Sequence, residues 1–447
     1  MLHAIQKPQT VMRKFLASHS FRKYFANTSW LLGERILRMI VSLFVGIYVA
    51  RYLGPERFGL LSYSLSFVLL FSSLASFGLD DILVRELVQR PEQRNKLLGT
   101  VFWLKVFGTI VMGSAIAMVL YFKSEDEQTY WMIALITFGF LFQATNVVDF
   151  YFQSQVQSKF AVRAQAIQLL ITSIFKIYLV FNQAELIWFA FALMLDQAVV
   201  AVLFLMVYHW KLEWFPFYYF KCSLATQLLK NSWPLIISGM MVSIYMKIDQ
   251  IMIKEMLDAK AVGIYAAAVK LCEVLYFLPV ATMTSLFPAV VESRNKSKTE
   301  YNRQVQRIYE MMLGGAVIVA IIVTFLSSWI VQFLYGLEFQ GATAILQIYI
   351  WAFVFVSLGV VSSKWLVAEN LHKYALIRSV IGVIINISSN WYLIPIYGIK
   401  GAALSTLITQ IFVAYIFFLC FQSTRYNFWL VSRAFTFGFH RHLFSKK

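Results

Sequence analysis

Glu34, Arg35 and Arg38 stand at spacings of one, three and four in a stretch otherwise apolar enough to cross a membrane. On a helix that spacing gathers all three on one side, because residues three and four apart are surface neighbours. Arg51, Lys105, Lys176, Lys247, Lys270 and Arg378 are further basic residues within or beside apolar runs, and Asp196, Asp249 and Glu273 are acids within them. A charge at mid-bilayer costs ~3 kcal/mol on insertion scales, so such groups face a bundle interior or water and mark a pathway. By depth, Arg35, Arg38, Lys105 and Arg378 fall in the inner half against Glu34 alone, a net excess of positive charge, with Asp80 and Asp149 counted at span ends. Lys176, Lys247 and Lys270 fall in the outer half against Asp249 and Glu273, and Asp196 lies near the middle.

Helical spacing assigns some of these charges to one another. Glu34 pairs with Arg38 one turn on, which leaves Arg35 free, and Lys270 with Glu273 reads as a local pair. Lys247 and Asp249, two apart, point to different faces, so each needs a partner from another helix. Two readings of Asp249 stand side by side: a carboxylate that couples transport to H+ or Na+, or the counter-ion of a lysine. Glu34, Asp196 and Glu273 carry the same pair of readings. For Arg35, Arg38 and Arg378, which lie near span ends, the alternative to a pathway is snorkelling to lipid headgroups.

The elements that must hold these residues are membrane spans. Of 447 residues, 60% are hydrophobic and 14% charged. Apolar runs near the ~20 residues that cross a bilayer core recur at 29–52, 59–80, 99–122, 130–150, 164–181, 186–208, 232–253, 262–290, 311–335, 341–363, 374–395 and 398–421. The expected fold is therefore an all-α polytopic membrane protein of about 12 transmembrane helices. Gly54-Pro55 must turn the chain between the first two spans, because Pro55 lacks an amide hydrogen and disfavours helix at its predecessor. Pro279 and Pro288 are expected to kink the eighth span. The first thirty residues lack an apolar core with a cleavage site, so the first span is expected to direct insertion.

Charge distribution sets the orientation. The termini and the loops after even-numbered spans hold 26 Lys and Arg, whereas the opposite side holds only Arg57, Lys123, Lys254, Lys260 and Lys400. The positive-inside rule then puts both termini in the cytoplasm. It also accounts for the net charge of +17 without nucleic acid. Histidines 3, 19, 209, 372, 440 and 442 fall in cytoplasmic loops or tails without zinc spacing, and Cys222, Cys272 and Cys420 are scattered singly. No metal and no cofactor is expected, and the phosphate-loop signature is missing.

The two halves repeat. At an offset of 204, Phe58-Gly59-Leu60-Leu61-Ser62 falls on Val262-Gly263-Ile264-Tyr265-Ala266; at 214, Lys159-Phe160-Ala161-Val162 falls on Lys373-Tyr374-Ala375-Leu376. Six spans per half is an even number, so the halves share an orientation, and transporters built this way carry substrate between them. The organisation read from this is a basic segment 1–28, a lobe 29–208, a cytoplasmic linker 209–231, a second lobe 232–421 and a basic tail 422–447.

Asn27-Thr28-Ser29-Trp30-Leu31-Leu32, with Val49-Ala50-Arg51-Tyr52-Leu53-Gly54-Pro55-Glu56-Arg57-Phe58-Gly59 and Ser62-Tyr63, resembles the opening of the polysaccharide repeat-unit flippases. These are the O-antigen and exopolysaccharide flippases of the multidrug/oligosaccharidyl-lipid/polysaccharide exporter superfamily. Ile248-Asp249-Gln250-Ile251-Met252-Ile253, Val262-Gly263-Ile264-Tyr265 and Ile394-Pro395-Ile396-Tyr397-Gly398-Ile399-Lys400-Gly401-Ala402-Ala403 are similar to later segments of that family. The resemblance implies two parallel six-helix lobes forming a V around a central cavity in a bacterial inner membrane. The implied cargo is an undecaprenyl-pyrophosphate-linked oligosaccharide moved to the periplasmic leaflet by alternating access. Membrane lipids, a polysaccharide polymerase and chain-length proteins are the implied partners. Members often have fourteen spans; here a basic tail from Arg425 onward, with Phe428-Trp429-Leu430, stands where a last pair would be and is suited to the membrane interface.

For a pyrophosphate cargo the fixed cations Arg35, Arg38, Lys105, Arg378 and Lys247 are the candidate binding groups. Arginine's planar fork takes phosphate oxygens in pairs and lysine adds a point charge. A multidrug or cation antiporter of the same superfamily remains the rival in fold, although cationic drugs call for an acidic cavity. A membrane-embedded polymerase or glycosyltransferase is the rival from another class, although its catalytic groups would need larger external loops. The charge asymmetry predicts that reporter fusions at Asp126 and Arg294 lie on opposite sides of the membrane. Finding both on one side would remove the topology and the parallel halves together.

Overall fold

The computed structural model describes residues 19–436, and it is helical throughout. The first half contains α1 (His19–Leu70), α2 (Ser72–Ser76), α3 (Asp80–Gln89), α4 (Arg94–Tyr121), α5 (Glu127–Phe142), α6 (Val147–Ser154), α7 (Lys159–Phe181) and α8 (Leu186–Lys211). The second contains α9 (Cys222–Met256), α10 (Ala259–Leu275), α11 (Phe277–Lys296), α12 (Lys298–Tyr335), α13 (Ala342–Ala368), α14 (His372–Tyr397), α15 (Ile399–Ala414) and α16 (Arg425–Phe435). Among the described residues, 11 helices are long and apolar enough to span a membrane.

The difference from the expected twelve lies in α1. Its apolar part, Ser29–Leu70, is 42 residues long. At ~1.5 Å per residue that is roughly twice a bilayer core. A single non-helical residue divides it: Gly54, at φ 69 and ψ 172. The chain turns there as the Gly-Pro pair requires, and Pro55 then opens the next helix, where its missing amide hydrogen costs nothing. The eighth span breaks differently from expectation. Helix α10 stops at Leu275 and α11 begins at Phe277, so Pro279 sits in a first turn, where it has no intrahelical bond to lose. The side chain of Pro288 lies outside the described residues.

The described residues pack as two compact units, 19–42, 73–125 and 134–236 in one, and 43–72, 126–133 and 237–436 in the other. In the first unit, regions that composition marks as cytoplasmic loops supply core. Helix α3 buries Ile82, Leu83 and Leu87, beside Leu97, Val101, Phe152, Phe204 and Tyr208. The 209–231 segment contributes Phe215, Leu224 and Leu228 to the same cluster. It is fastened by Trp103 Nε1 donating to the Phe217 carbonyl at 2.7 Å, and by an Arg94–Glu213 ion pair at 2.5 Å. The second unit includes α16, whose buried face is Asn427, Leu430, Val431 and Ala434. Asn427 is the anchor. It accepts from the Tyr309 hydroxyl at 2.7 Å and donates to Ser362 Oγ at 3.2 Å. Tyr426, Trp429 and Arg433 remain outward, a division suited to a helix lying at an interface. The rest of the basic tail, 437–447, and residues 1–18 of the basic N-terminal segment lie outside the described residues.

Also within the second unit, the helix that opens at Pro55 crosses α10 at two glycines. A Cβ on Gly59 would stand 1.8 Å from the Ala259 carbonyl oxygen, and one on Gly263 would stand 1.8 Å from the Pro55 carbonyl oxygen. The contacts are reciprocal and obey the 204-residue offset, since Pro55 falls on Ala259 as Gly59 falls on Gly263. Backbone meets backbone, so no side chain can move aside. Gly59→Ala and Gly263→Ala are each expected to lower stability by ~1–3 kcal/mol, the usual range for overpacking. Gly315→Ala, with nothing near its Cβ position, should be neutral. Thermal unfolding of the purified variants checks this, and wild-type stability at both crossing positions would rule out the contact.

Candidate functional site

In the first unit the charges placed by sequence are mostly neutralised. Arg38 Nε donates to Glu34 Oε1 at 2.5 Å, across one turn of α1, as the spacing requires. Arg35 lies on the exposed side of that helix and has no ion-pair partner among the described residues. Lys105 is not the open cation expected. Its ammonium, nearly buried on α4, lies 2.6 Å from Asp80 Oδ1 at the start of α3 and 4.8 Å from the Phe150 ring centre. Asp196, on α8, accepts from Lys176 Nζ at 2.5 Å and from Gln168 Nε2 at 3.0 Å. Asp149, on α6, accepts from Gln153 at 3.1 Å and Gln165 at 3.5 Å and lies in the field of Glu34 and Arg38. The inner excess of positive charge therefore does not hold in this unit: Asp80 and Asp149, discounted as span-end acids, offset it.

In the second unit two groups behave differently from the rest. Lys247 is not one of them. It reaches from α9 to Glu273 on α10 at 2.9 Å, so Glu273 belongs to an inter-helix pair. The Lys270 ammonium lies close to Gly46.

The first distinctive group is the carboxylate of Asp249, buried on α9. Oδ2 accepts from the Tyr265 hydroxyl at 2.7 Å and from the Thr406 hydroxyl at 2.5 Å, and Oδ1 accepts from Asn390 Nδ2 at 2.7 Å. Asn390 Nδ2 also donates to Asn386 Oδ1 at 3.1 Å. Four helices, α9, α10, α14 and α15, thus converge on one carboxylate whose donors are all uncharged. The Asn390 carbonyl oxygen and the Asn386 amide nitrogen are buried without a partner, which leaves polar capacity in a closed site. Carboxylate, amide and hydroxyl oxygens together suit a proton or a hard monovalent cation, for which oxygen ligands are preferred. Among the described residues no three His, Cys, Asp or Glu side chains gather to hold a metal ion. Asn386, Asn390 and Thr406 were not singled out from sequence. The available signal was two amides four apart in an otherwise apolar span, one turn of helix from each other.

The second is the Arg378 guanidinium, on α14. Nη2 donates to Ser363 Oγ at 2.7 Å, while Nε and Nη1 are closed off from solvent without an acceptor. Its Cζ lies 6.0 Å from the Phe418 ring centre, and the phenols of Tyr245 and Tyr309 lie in its field. A guanidinium carries five donors in a fixed fork. Here most of the fork is unspent, and among the described residues no carboxylate pairs with it.

Residues 24–294 of the chain match the polysaccharide biosynthesis protein family, and residues 234–392 match the MatE family. No curated protein sequence matches the chain. Among solved structures, the fold is similar to that of a multidrug resistance MATE family transporter of the MOP superfamily in an inward-facing conformation. That likeness has a TM-score of 0.71 at 13% identity, over 89% of this chain and 96% of the other. It is similar also to the lipid II flippase MurJ in an inward closed conformation, with a TM-score of 0.69 at 14% identity, over 95% and 93% of the two chains. A third likeness, to a MOP superfamily transporter from Pyrococcus furiosus described as having reversed binding-pocket polarity, has a TM-score of 0.61 at 11% identity, over 91% and 96%. Identities this low speak for the fold alone. The sequence match spans more than half of the 447 residues, and the chain belongs to the polysaccharide biosynthesis protein family.

Proposed function

We infer that the protein is a flippase for lipid-linked oligosaccharides, which takes the pyrophosphate headgroup of an undecaprenyl-type carrier at the inner leaflet and delivers it to the outer one. The observation that carries this reading is Arg378, a guanidinium sealed in the second unit with two nitrogens unpaired. A cation in that state is an expensive feature in a membrane protein. An anion that arrives, binds in pairs to the fork and leaves again accounts for the expense. In this reading Arg35, exposed on α1, makes the first contact with the headgroup. Lys105 and Lys247 serve as paired structural charges in this scheme. A site built around an unpaired cation disfavours positively charged drugs, which separates this reading from the multidrug one. Sugar transfer is the third reading, and purified protein given lipid-linked sugars tests it directly. The bacterial inner membrane, the cytoplasmic termini and cooperation with a polymerase and chain-length proteins belong to this proposal.

Replacing Arg378 by Gln removes the charge while keeping a polar side chain, and glycan export per molecule is expected to fall at least tenfold with protein abundance near wild type. Lys at the same position should retain part of the activity, as a point charge without the fork. Lys105→Gln should act on abundance instead, because it strands Asp80. Surface polysaccharide normalised to protein level distinguishes these outcomes. Wild-type export per molecule in Arg378→Gln would overturn the cargo assignment, and cation-drug export by the same variant would favour the rival.

The Asp249 site supplies the coupling. A carboxylate held by neutral donors changes its hold on α10, α14 and α15 when it takes up H+ or Na+, which links ion occupancy to how those helices pack. Asp249→Asn keeps the shape and loses the charge. Transport driven by an imposed H+ or Na+ gradient in vesicles should then become independent of that gradient. An undiminished gradient response would show that coupling resides elsewhere.

A further inference from the structure

Three side chains from three helices close a ring of hydrogen bonds beside Arg378. The Tyr309 hydroxyl on α12 donates to Asn427 Oδ1 on α16 at 2.7 Å, and Asn427 Nδ2 donates to Ser362 Oγ on α13 at 3.2 Å. Ser362 Oγ and the Tyr309 oxygen stand 2.9 Å apart. The Tyr309 hydrogen is already committed to Asn427, so Ser362 is the donor in this third bond. Each member therefore gives one hydrogen bond and takes one, and none of the three is exposed to solvent. Such a ring fixes all of its members, because losing one leaves the other two short of a partner in a low-dielectric interior.

The same three residues lead to the walls of the Arg378 site. Ser363, which accepts from Arg378 Nη2 at 2.7 Å, follows Ser362 on α13, and its own hydroxyl donates to the Gly359 carbonyl at 2.8 Å. Tyr309 lies in the field of the guanidinium. Phe418, with its ring centre 6.0 Å from the guanidinium carbon, is buried in the stretch that joins α15 to α16. Its carbonyl accepts from the Thr424 hydroxyl at 3.0 Å, on the turn that leads into α16. The Asn427 amide is common to all of these: it is bonded to Tyr309, bonded to the residue beside Ser363, and on the helix that begins next to the hydroxyl holding Phe418.

A fork that takes two phosphate oxygens at once depends on its angle as well as its charge. Among the described residues Arg378 has one hydrogen bond, to Ser363, and its Nε and Nη1 have none. The walls, more than its own bonds, therefore set how the guanidinium plane stands. We propose that Asn427 is a positioning residue for the Arg378 site, so that the helix formed by the basic tail belongs to the machinery that takes the pyrophosphate headgroup. This rests on the reading of Arg378 as the group that binds the headgroup. Asn427 itself does not touch the cargo; it holds the walls that hold the fork.

The test is equilibrium binding of undecaprenyl pyrophosphate, and of undecaprenol, which lacks the phosphates, to the full-length protein in lipid nanodiscs. Asn427→Leu keeps a branched side chain and removes both of its ring bonds. Affinity for the pyrophosphate lipid should fall about tenfold, within the range of coupling inside one network, with undecaprenol binding unchanged. Tyr309→Phe, a smaller change, should act in the same direction by about threefold, the size of one hydrogen bond, and carries the test if Asn427→Leu accumulates poorly. In an Arg378→Gln background neither substitution should lower affinity further, because nothing is left to position. Additive losses in that background, equal losses for both lipids, or wild-type pyrophosphate affinity in both single variants would overturn the role of Asn427 and leave Arg378 as the binding group. Wild-type affinity in Arg378→Gln alone would remove the headgroup reading, and this inference with it.

Discussion

A charge buried among apolar helices must be matched, and that requirement organises this protein more than any single packing contact. Lys105 with Asp80, Lys176 with Asp196, Lys247 with Glu273 and Arg38 with Glu34 all meet it. Removing one member of such a pair leaves the other uncompensated in a medium of low dielectric, a penalty of several kcal/mol. The three inter-helix pairs also fix which helix faces act as neighbours: α3 with α4, α7 with α8, and α9 with α10. Against that background Arg378 and Asp249 stand out, one for lacking an opposite charge and the other for being served wholly by neutral donors. Their neighbours could have been charged, as they are elsewhere in the same chain, so the exceptions are where chemistry other than folding is to be sought.

What the sequence made legible follows from which interactions are local. Span positions rest on runs of apolar residues, and the turn at Gly54 on two adjacent residues with fixed backbone preferences, so both could be read directly. The Glu34–Arg38 pair was legible for the same reason. Lys105 with Asp80 was not, because the partners sit on different helices and their meeting depends on how α3 packs into the core. Amphipathic spacing in α3 was the missed signal: Ile82, Leu83, Glu86 and Leu87 share its buried face, in a stretch rich enough in charge to pass for a loop. Glu273 was assigned to Lys270, three residues away in sequence, whereas its meeting with Lys247 on another helix could not be read from spacing. The Asp249 cluster draws on four helices, and only its carboxylate announced itself, since amides and hydroxyls in a span are too common to be counted as a site.

The tail illustrates a similar limit. Its composition suited an interfacial helix, and α16 does present Trp429 and Arg433 outward. Yet the helix is tied into the second unit by Asn427, through a buried set of hydrogen bonds with Tyr309 and Ser362. A buried amide satisfied on both its donor and acceptor sides specifies a position and an orientation that apolar contact alone would leave open. Residues that look like a basic appendage thus complete the polar interior of the unit.

The glycine crossing between the Pro55 helix and α10 has a mechanical side. Two rods that touch at one point, with nothing but main chain between them, have a fulcrum there: tilting costs little at the point of contact and displaces the far ends most. Leu275 is twelve residues beyond Gly263, an arm of about 18 Å at the helical rise. A swing of about 10° at the fulcrum therefore carries it through about 3 Å, the scale on which packed helices exchange neighbours. The partner arm, from Gly59 to Leu70, is eleven residues long, so the two arms of the lever are of nearly equal reach.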